Sequence, residues 1–494
     1  MRHLPVLIPI LPLAAALLCL LFSRIHKELG KYIVLAALSV SFLSSIGLFK
    51  EVLAGGEAIH YYMGGWLPPL GIEFVIDPIN AVLLVAVSGI ALGVGIYSQP
   101  FVKEGGWLEK GGFYTLFSLL SAGLLGMTIT GDMFNLYVFL EIASLTAYGL
   151  IALGGGKSVI AAFRYLLLGT IAASFYLLAV AYMYSITGTL NMADMGKLLS
   201  TQLDSPNVLL AVAMLLVAFG IKMALFPLHG WQPDAYTFSH PGAAPLISGL
   251  MSKAPALAML RYFFYIISAD SKYVEAALGV LGFFGACGII FGSVMAIAQR
   301  DFRRMLAYSS VAQIGYIAVG FSIGNAYGIL AAVFQIVIHA FMKSSLFMSI
   351  GAVQYQYDTV NIDDFGGLNK HMPLTVMTMV IASLSMVGIP PTGGFFSKWY
   401  LMLGALAKGQ YVFIAVLVVS ALLNAVYFFR VIENIFINKD AGLTPLHRKG
   451  VLELPLSMLV PIVLFGITIL VIGFLNAFLV NDVLSLGLPE VLAI

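Results

Sequence analysis

A carboxylate and a series of amines, each set in sequence that is otherwise nearly free of charge, are the residues of this chain best suited to chemistry. Lys222 follows fourteen uncharged residues, 208–221. As a helix rising about 1.5 Å per residue, that run sets Lys222 roughly 21 Å into a hydrocarbon core about 30 Å thick. Glu141 lies nine residues past Asp132, inside another apolar run. A lone carboxylate in lipid costs several kcal/mol unless it is paired or neutral, which makes Lys222 its natural partner. Lys253 stands among Leu250, Met251, Ala254 and Pro255. Gln335, His339 and Lys343 recur every four residues and share one helix face. Lys398 closes the series. Burial depresses a lysine's pKa by up to several units, and a nearby carboxylate pushes it back up. Opening and closing a Glu141–Lys222 pair would therefore load and release a proton. A single buried lysine is often a tie to backbone carbonyls or a snorkelling amine near a helix end. Four at mid-span depth suit a relay better.

Two of these lysines neighbour helix breaks. Pro227 has no N–H and its ring clashes with the preceding turn, so the helix holding Lys222 must stop or kink nearby. The segment from Pro227 through His229 to Asp234 forms the broken extension, and His229 either caps that break or gates it. The run Gly388-Ile389-Pro390-Pro391-Thr392-Gly393-Gly394 interrupts a second apolar stretch, and Lys398 follows it. An ammonium beside a discontinuous helix marks an ion pathway.

The elements that position these groups are apolar spans. The 494 residues are 61% hydrophobic and 10% charged, against about 25% charged in a soluble protein. The fold class is thus an all-α polytopic membrane protein, since short alternating segments that would close a β-barrel are absent. Fourteen spans are predicted, at about 4–22, 32–49, 78–98, 112–130, 133–153, 159–187, 208–226, 242–268, 274–299, 305–324, 327–355, 374–406, 411–437 and 455–480. The first is a retained helix, because Arg24 and Lys27 follow its apolar stretch and a signal peptide would place the basic end first. Of 25 lysines and arginines, seven lie inside spans, thirteen in loops on the side of Arg24 and Arg303, and five on the side of Lys50 and Lys408. The excess marks the first side as cytoplasmic and puts both termini outside. The external loop 51–77 reads as a folded hairpin, and Arg430 with Glu433 as an interfacial salt bridge. Spans 7 and 12 each pair a proline break with a lysine and lie five apart, so spans 4–8 and 9–13 read as two inverted five-helix repeats. The domain layout is 1–110, 111–270, 271–440 and 441–494. Net charge is +2 without a basic run, which argues against nucleic acid. Cys19 and Cys287 cannot hold a cluster, and no dinucleotide or phosphate loop is present, so no cofactor or metal is expected in this chain.

Several stretches together resemble the antiporter-like family shared by Mrp cation/proton antiporters, respiratory complex I and membrane-bound hydrogenases. They are Gly131-Asp132-Met133-Phe134-Asn135 through Glu141, Lys222 through Pro227-Leu228-His229-Gly230-Trp231-Gln232-Pro233-Asp234-Ala235, Ala307 through Gln313-Ile314-Gly315-Tyr316, His339-Ala340-Phe341-Met342-Lys343, and Gly388 through Lys398. The resemblance implies fourteen helices and a hydrophilic axis at mid-membrane. It assigns a switch pair to Glu141 and Lys222, a relay to Lys253, His339 and Lys343, and an exit to Lys398. Lysine at the last position departs from the complex I type that carries glutamate there, and the sequence looks most similar to the D-type Mrp subunit or its hydrogenase counterpart. The function expected is a proton-translocating subunit of a multisubunit Na+/proton antiporter in the cell membrane, with other integral membrane subunits as partners. The alternative is a pumping subunit of a redox enzyme whose cofactors sit in other chains.

Overall fold

The computed structural model describes residues 3–102, 106–267, 271–438, 442, 445–446 and 453–488. Arg2, Lys103, Lys439, Arg448 and Lys449, counted in the charge bias, lie outside the described residues. The chain opens with α1 (Leu4–Ser23) and α2 (Leu29–Gly55). The hairpin β1 (Ile59–Tyr62) and β2 (Glu73–Ile76) follows, antiparallel with Ile59 opposite Ile76. Then come α3 (Pro78–Tyr97), α4 (Trp107–Ile129), α5 (Met133–Ala152), α6 (Lys157–Thr187), the short α7 (Met192–Leu199) and α8 (Pro206–Met223). The middle of the chain holds α9 (Gln232–Phe238), α10 (Ala244–Leu250), α11 (Lys253–Arg261), α12 (Lys272–Ile297), α13 (Phe302–Ile323) and α14 (Ala326–Tyr357). The chain continues with the one-turn α15 (Leu368–His371), then α16 (Pro373–Val387), α17 (Gly393–Ala407), α18 (Tyr411–Phe436) and α19 (Leu456–Phe474). Twelve of these, among the described residues, are long and apolar enough to cross a membrane. Nearly every side chain of α14 is buried, whereas α6 and α18 turn Phe163, Ile171, Val418 and Leu422 outward. An exterior of that kind suits lipid.

Backbone accounting explains the irregular places. Pro12 inside α1 has no N–H for the carbonyl of Ile8, and the Ser41 hydroxyl donates to it instead at 2.9 Å. Pro227 would drive its ring into the carbonyl of residue 223, and α8 stops at that residue, with Ala224 in the left-handed region at φ 61°. The freed groups are reused: Leu225 N–H donates to Gly220 O and the Trp231 indole donates to Ile221 O, each at 2.8 Å. Pro390 and Pro391 act likewise on residues 386 and 387, and α16 stops at Val387 with Gly388 at φ 94°.

The eighth span differs from the unbroken run read from hydropathy. Pro255 is incompatible with the carbonyl of Met251, so the chain turns at Met251 and Ser252 between α10 and α11. Arg430 also differs. Its guanidinium donates to Ile297 O at 2.8 Å and to Gln299 O at 2.5 Å, capping the carbonyl end of α12, and does not engage Glu433.

Two matching ties close opposite ends of the bundle. At one end Asp132 bridges Asn191, with Met133 N–H on Leu190 O and Met192 N–H on Gly131 O, both 2.9 Å. At the other end Asp301 bridges Asn361, with Phe302 N–H on Val360 O and Ile362 N–H on Arg300 O, again both 2.9 Å. Each aspartate accepts from a first-turn amide of its helix, Asn135 for α5 and Arg303 for α13. Thr189 and Thr359 accept from the two asparagine amides. The partners lie 59 residues apart in one tie (191 − 132) and 60 in the other (361 − 301).

Candidate functional site

The six ionisable residues singled out from sequence come from α5, α8, α11, α14 and α17, and five of them are almost wholly enclosed. Lys222 occupies the last turn of α8, where Pro227 has ended the helix. Its ammonium lies 3.3 Å from Glu141 Oε1 and donates to Ser144 Oγ at 2.8 Å. Glu141 and Ser144 are three apart on α5 and so share a face. Glu141 keeps 19% of its side-chain surface open, against 3% for Lys222, and is therefore the more accessible member of the pair.

Lys253 opens α11, and its amine donates to Ser248 O at 2.7 Å across the turn that Pro255 enforces. Its charge and that of Lys343 both act on the His339 ring. That ring is fully buried, and neither nitrogen has a hydrogen-bond partner among the described residues. A neutral imidazole in that position keeps one open donor and one open acceptor. Lys343 donates to Leu306 O and Ser309 Oγ of α13, both at 2.5 Å.

Lys398, in the second turn of α17, reaches back across the break. Its ammonium donates to Met386 O at 2.8 Å and Val387 O at 2.7 Å, the carbonyls left without intrahelical partners where α16 stops. It also lies 5.1 Å from the centre of the Tyr316 ring. Gln335, a turn before His339, bonds Gln313 and accepts from Ser397 Oγ at 2.5 Å, which links α14 to the residue beside Lys398.

Residues not selected from sequence complete the site. Ser144 and Ser309 each solvate a lysine. Ser309 also faces the hydroxyl of Tyr427, which donates to Asn424 Oδ1 at 2.7 Å. The Asn424 amide donates to Tyr316 OH at 3.2 Å, and Tyr316 OH pairs with Ser420 Oγ at 2.6 Å. Ser420, Asn424 and Tyr427 are spaced four and three apart on α18, a signal masked by their apolar neighbours. A side-chain network thus runs from Lys343 to the ring packed under Lys398.

The break residues divide. Pro227, Pro390 and Pro391 sit at the helix ends they cause. His229 lies between Phe226 and Phe291, with ring centres 5.5 and 5.1 Å away. It touches no member of the lysine line. Asp234 joins three elements at one end of the bundle, 2.7 Å from Arg164 of α6 and 3.3 Å from Arg304 of α13. No group of three or more His, Cys, Asp or Glu able to hold a metal ion occurs among the described residues.

The family described as NADH:quinone oxidoreductase/Mrp antiporter, transmembrane region, matches residues 130–424. The chain is 48% identical to NADH-quinone oxidoreductase subunit N of Desulforudis audaxviator over 495 residues, covering 99% of each. It is 34% identical to the D-type subunit of the Na(+)/H(+) antiporter of Alkalihalophilus pseudofirmus over 427 residues, 86% of this chain and 85% of that one. Among solved structures, it superposes with a TM-score of 0.90 and 30% identity on a chain of the membrane-bound sulfane sulfur reductase, an archaeal respiratory membrane complex, covering 98% of this chain and 97% of the other.

Proposed function

The chain belongs to the NADH:quinone oxidoreductase/Mrp antiporter family, and from that premise we propose that it is the proton-translocating antiporter-like subunit of a respiratory redox complex whose cofactors are carried by other chains. The observation that carries the translocation is the enclosed series Glu141–Lys222, Lys253, His339, Lys343, Lys398, each amine held by a partner it can leave. The Glu141–Lys222 contact acts as the loading switch, His339 passes protons between Lys253 and Lys343, and Lys398 releases them at the broken helix. The full-length likeness to a quinone oxidoreductase subunit and to a respiratory complex supports coupling to redox chemistry. The Na+/proton antiporter reading keeps a specific support in the antiporter relative, and in the lysine at position 398.

Fourteen crossings are reached by adding two discontinuous ones to the twelve long helices: α10 with α11, and α16 with α17. The paired ties support two inverted repeats, α4 to α11 and α12 to α18, because the same bonds recur at opposite ends. Purification of the tagged chain with its neighbours, followed by mass spectrometry and vesicle assays, separates the readings. Co-purified iron–sulfur or nickel proteins and proton uptake driven by an electron donor are expected. Recovery of small membrane subunits alone, with Na+ gradients driving proton movement and no response to any donor, would overturn the redox assignment.

A further inference from the structure

A polar cavity lined by none of the six ionisable residues above plays no part in that proposal. It has a volume of about 300 Å³ and opens where the turn between α1 and α2 meets the starts of α4 and α19. Lys27, Lys31 and Lys110 line it with one carboxylate, Glu28. Glu28 accepts from Lys31 at 2.6 Å and from Lys110 at 2.5 Å. Those two bonds hold its carboxyl down to about 2, so it stays ionised. Lys27 has no ion pair among the described residues, and three amines against one carboxylate leave an excess of two positive charges. Ser457, in the first turn of α19, adds the positive end of a helix dipole to the rim.

The surroundings indicate what source of anion fits. The outward flank of α1 and of the turn after it is apolar, with Leu17, Leu21 and Ile25 64, 61 and 77% exposed. Arg24 lies 5.3 Å over the Trp107 ring at the start of α4. A tryptophan with a basic partner beside an apolar flank is the signature of the membrane interface, at headgroup depth. Basic pockets between helix ends at that depth recruit anionic headgroups.

We propose that this cavity binds the phosphate of an anionic phospholipid, with Lys27 as the free cation, Lys31 and Lys110 as supporting ones, and the acyl chains lying along Leu17 and Leu21 of α1. Free inorganic phosphate offers the same chemistry without the chains, so the test includes it. The intact complex is placed in nanodiscs of phosphatidylglycerol or phosphatidylcholine, and retained lipid is counted by native mass spectrometry. Phosphatidylglycerol should be retained preferentially. Lys27→Gln, which disturbs no ion pair, should weaken that retention about fivefold, the effect of one interfacial lysine. Lys31→Gln, which also removes one of the two partners of Glu28, provides a second variant and should weaken retention in the same direction. Retention unchanged in both variants would overturn the site. Displacement of the lipid by millimolar inorganic phosphate would assign the cavity to a free anion and overturn the lipid assignment.

Discussion

Glu141 and Lys222 act on each other through one contact of 3.3 Å, and that contact is open to a direct test. Glu141→Gln keeps the shape and most hydrogen bonding of the side chain but removes the charge facing the amine. Proton translocation in vesicles should fall by about tenfold or more in Glu141→Gln and equally in Lys222→Ala. The double variant should be hardly worse than either, because residues that act as a unit are non-additive. Losses that multiply would place the switch elsewhere. Lys398 calls for a different comparison, since its partners are carbonyls that water can also satisfy. Lys398→Ala should leave the complex assembled at wild-type yield and abolish proton-coupled activity; full activity would remove it from the path. The six ionisable residues of the candidate site were legible because a charge stands out in an apolar run. The hydroxyls and amides that solvate them were not, since serine, asparagine and tyrosine are common in any helix interface, and only the packing distinguishes Ser309 or Asn424 from the rest.

Helix breaks were legible beside Pro227 and beside Pro390 and Pro391. The rule that proline cannot follow the carbonyl four residues back places the ends of α8 at Met223 and α16 at Val387. The same rule at Pro255 accounts for the turn before Lys253, which hydropathy alone smooths over. The ties at Asp132 and Asp301 are hidden in the sequence because only short segments match, Thr189-Leu190-Asn191 with Thr359-Val360-Asn361. Glycine matters where α16 and α17 meet. A Cβ on Gly394 would stand 1.9 Å from Ser385 O, whereas one on Gly112 of α4 would meet nothing within 4 Å. Gly394→Ala should therefore destabilise the protein by about 1–3 kcal/mol, the usual cost of overpacking. It should lower the thermal midpoint while Gly112→Ala leaves it unchanged. Equal midpoints for the two variants would mean that the break yields more readily than its packing implies.

At the scale of the whole chain, the class and most of the span boundaries follow from apolar runs of about 18 residues or more, and the orientation rests on the thirteen-to-five basic bias. Cysteines introduced one at a time should label from the cytoplasmic face at positions 300–304 and from the outside near Lys408. External labelling of the 300–304 loop would reverse the orientation. Long-range pairing was the part no hydropathy pattern could show, because Lys343 and Tyr427 are brought together only by the packing of α13, α14 and α18. The two ties have a mechanical consequence. They anchor the starts of α5 and α13, the helices that carry Glu141 and Ser309, while α8 and α16 stop at Met223 and Val387, where side chains, the Trp231 indole and the Lys398 ammonium, take up their last carbonyls. A stroke of one helical rise, about 1.5 Å, is enough to part an ammonium from a carboxylate 3.3 Å away. A contact with so short a throw would let a proton be released without opening a wide bore, if the Glu141–Lys222 pair acts as the switch proposed above.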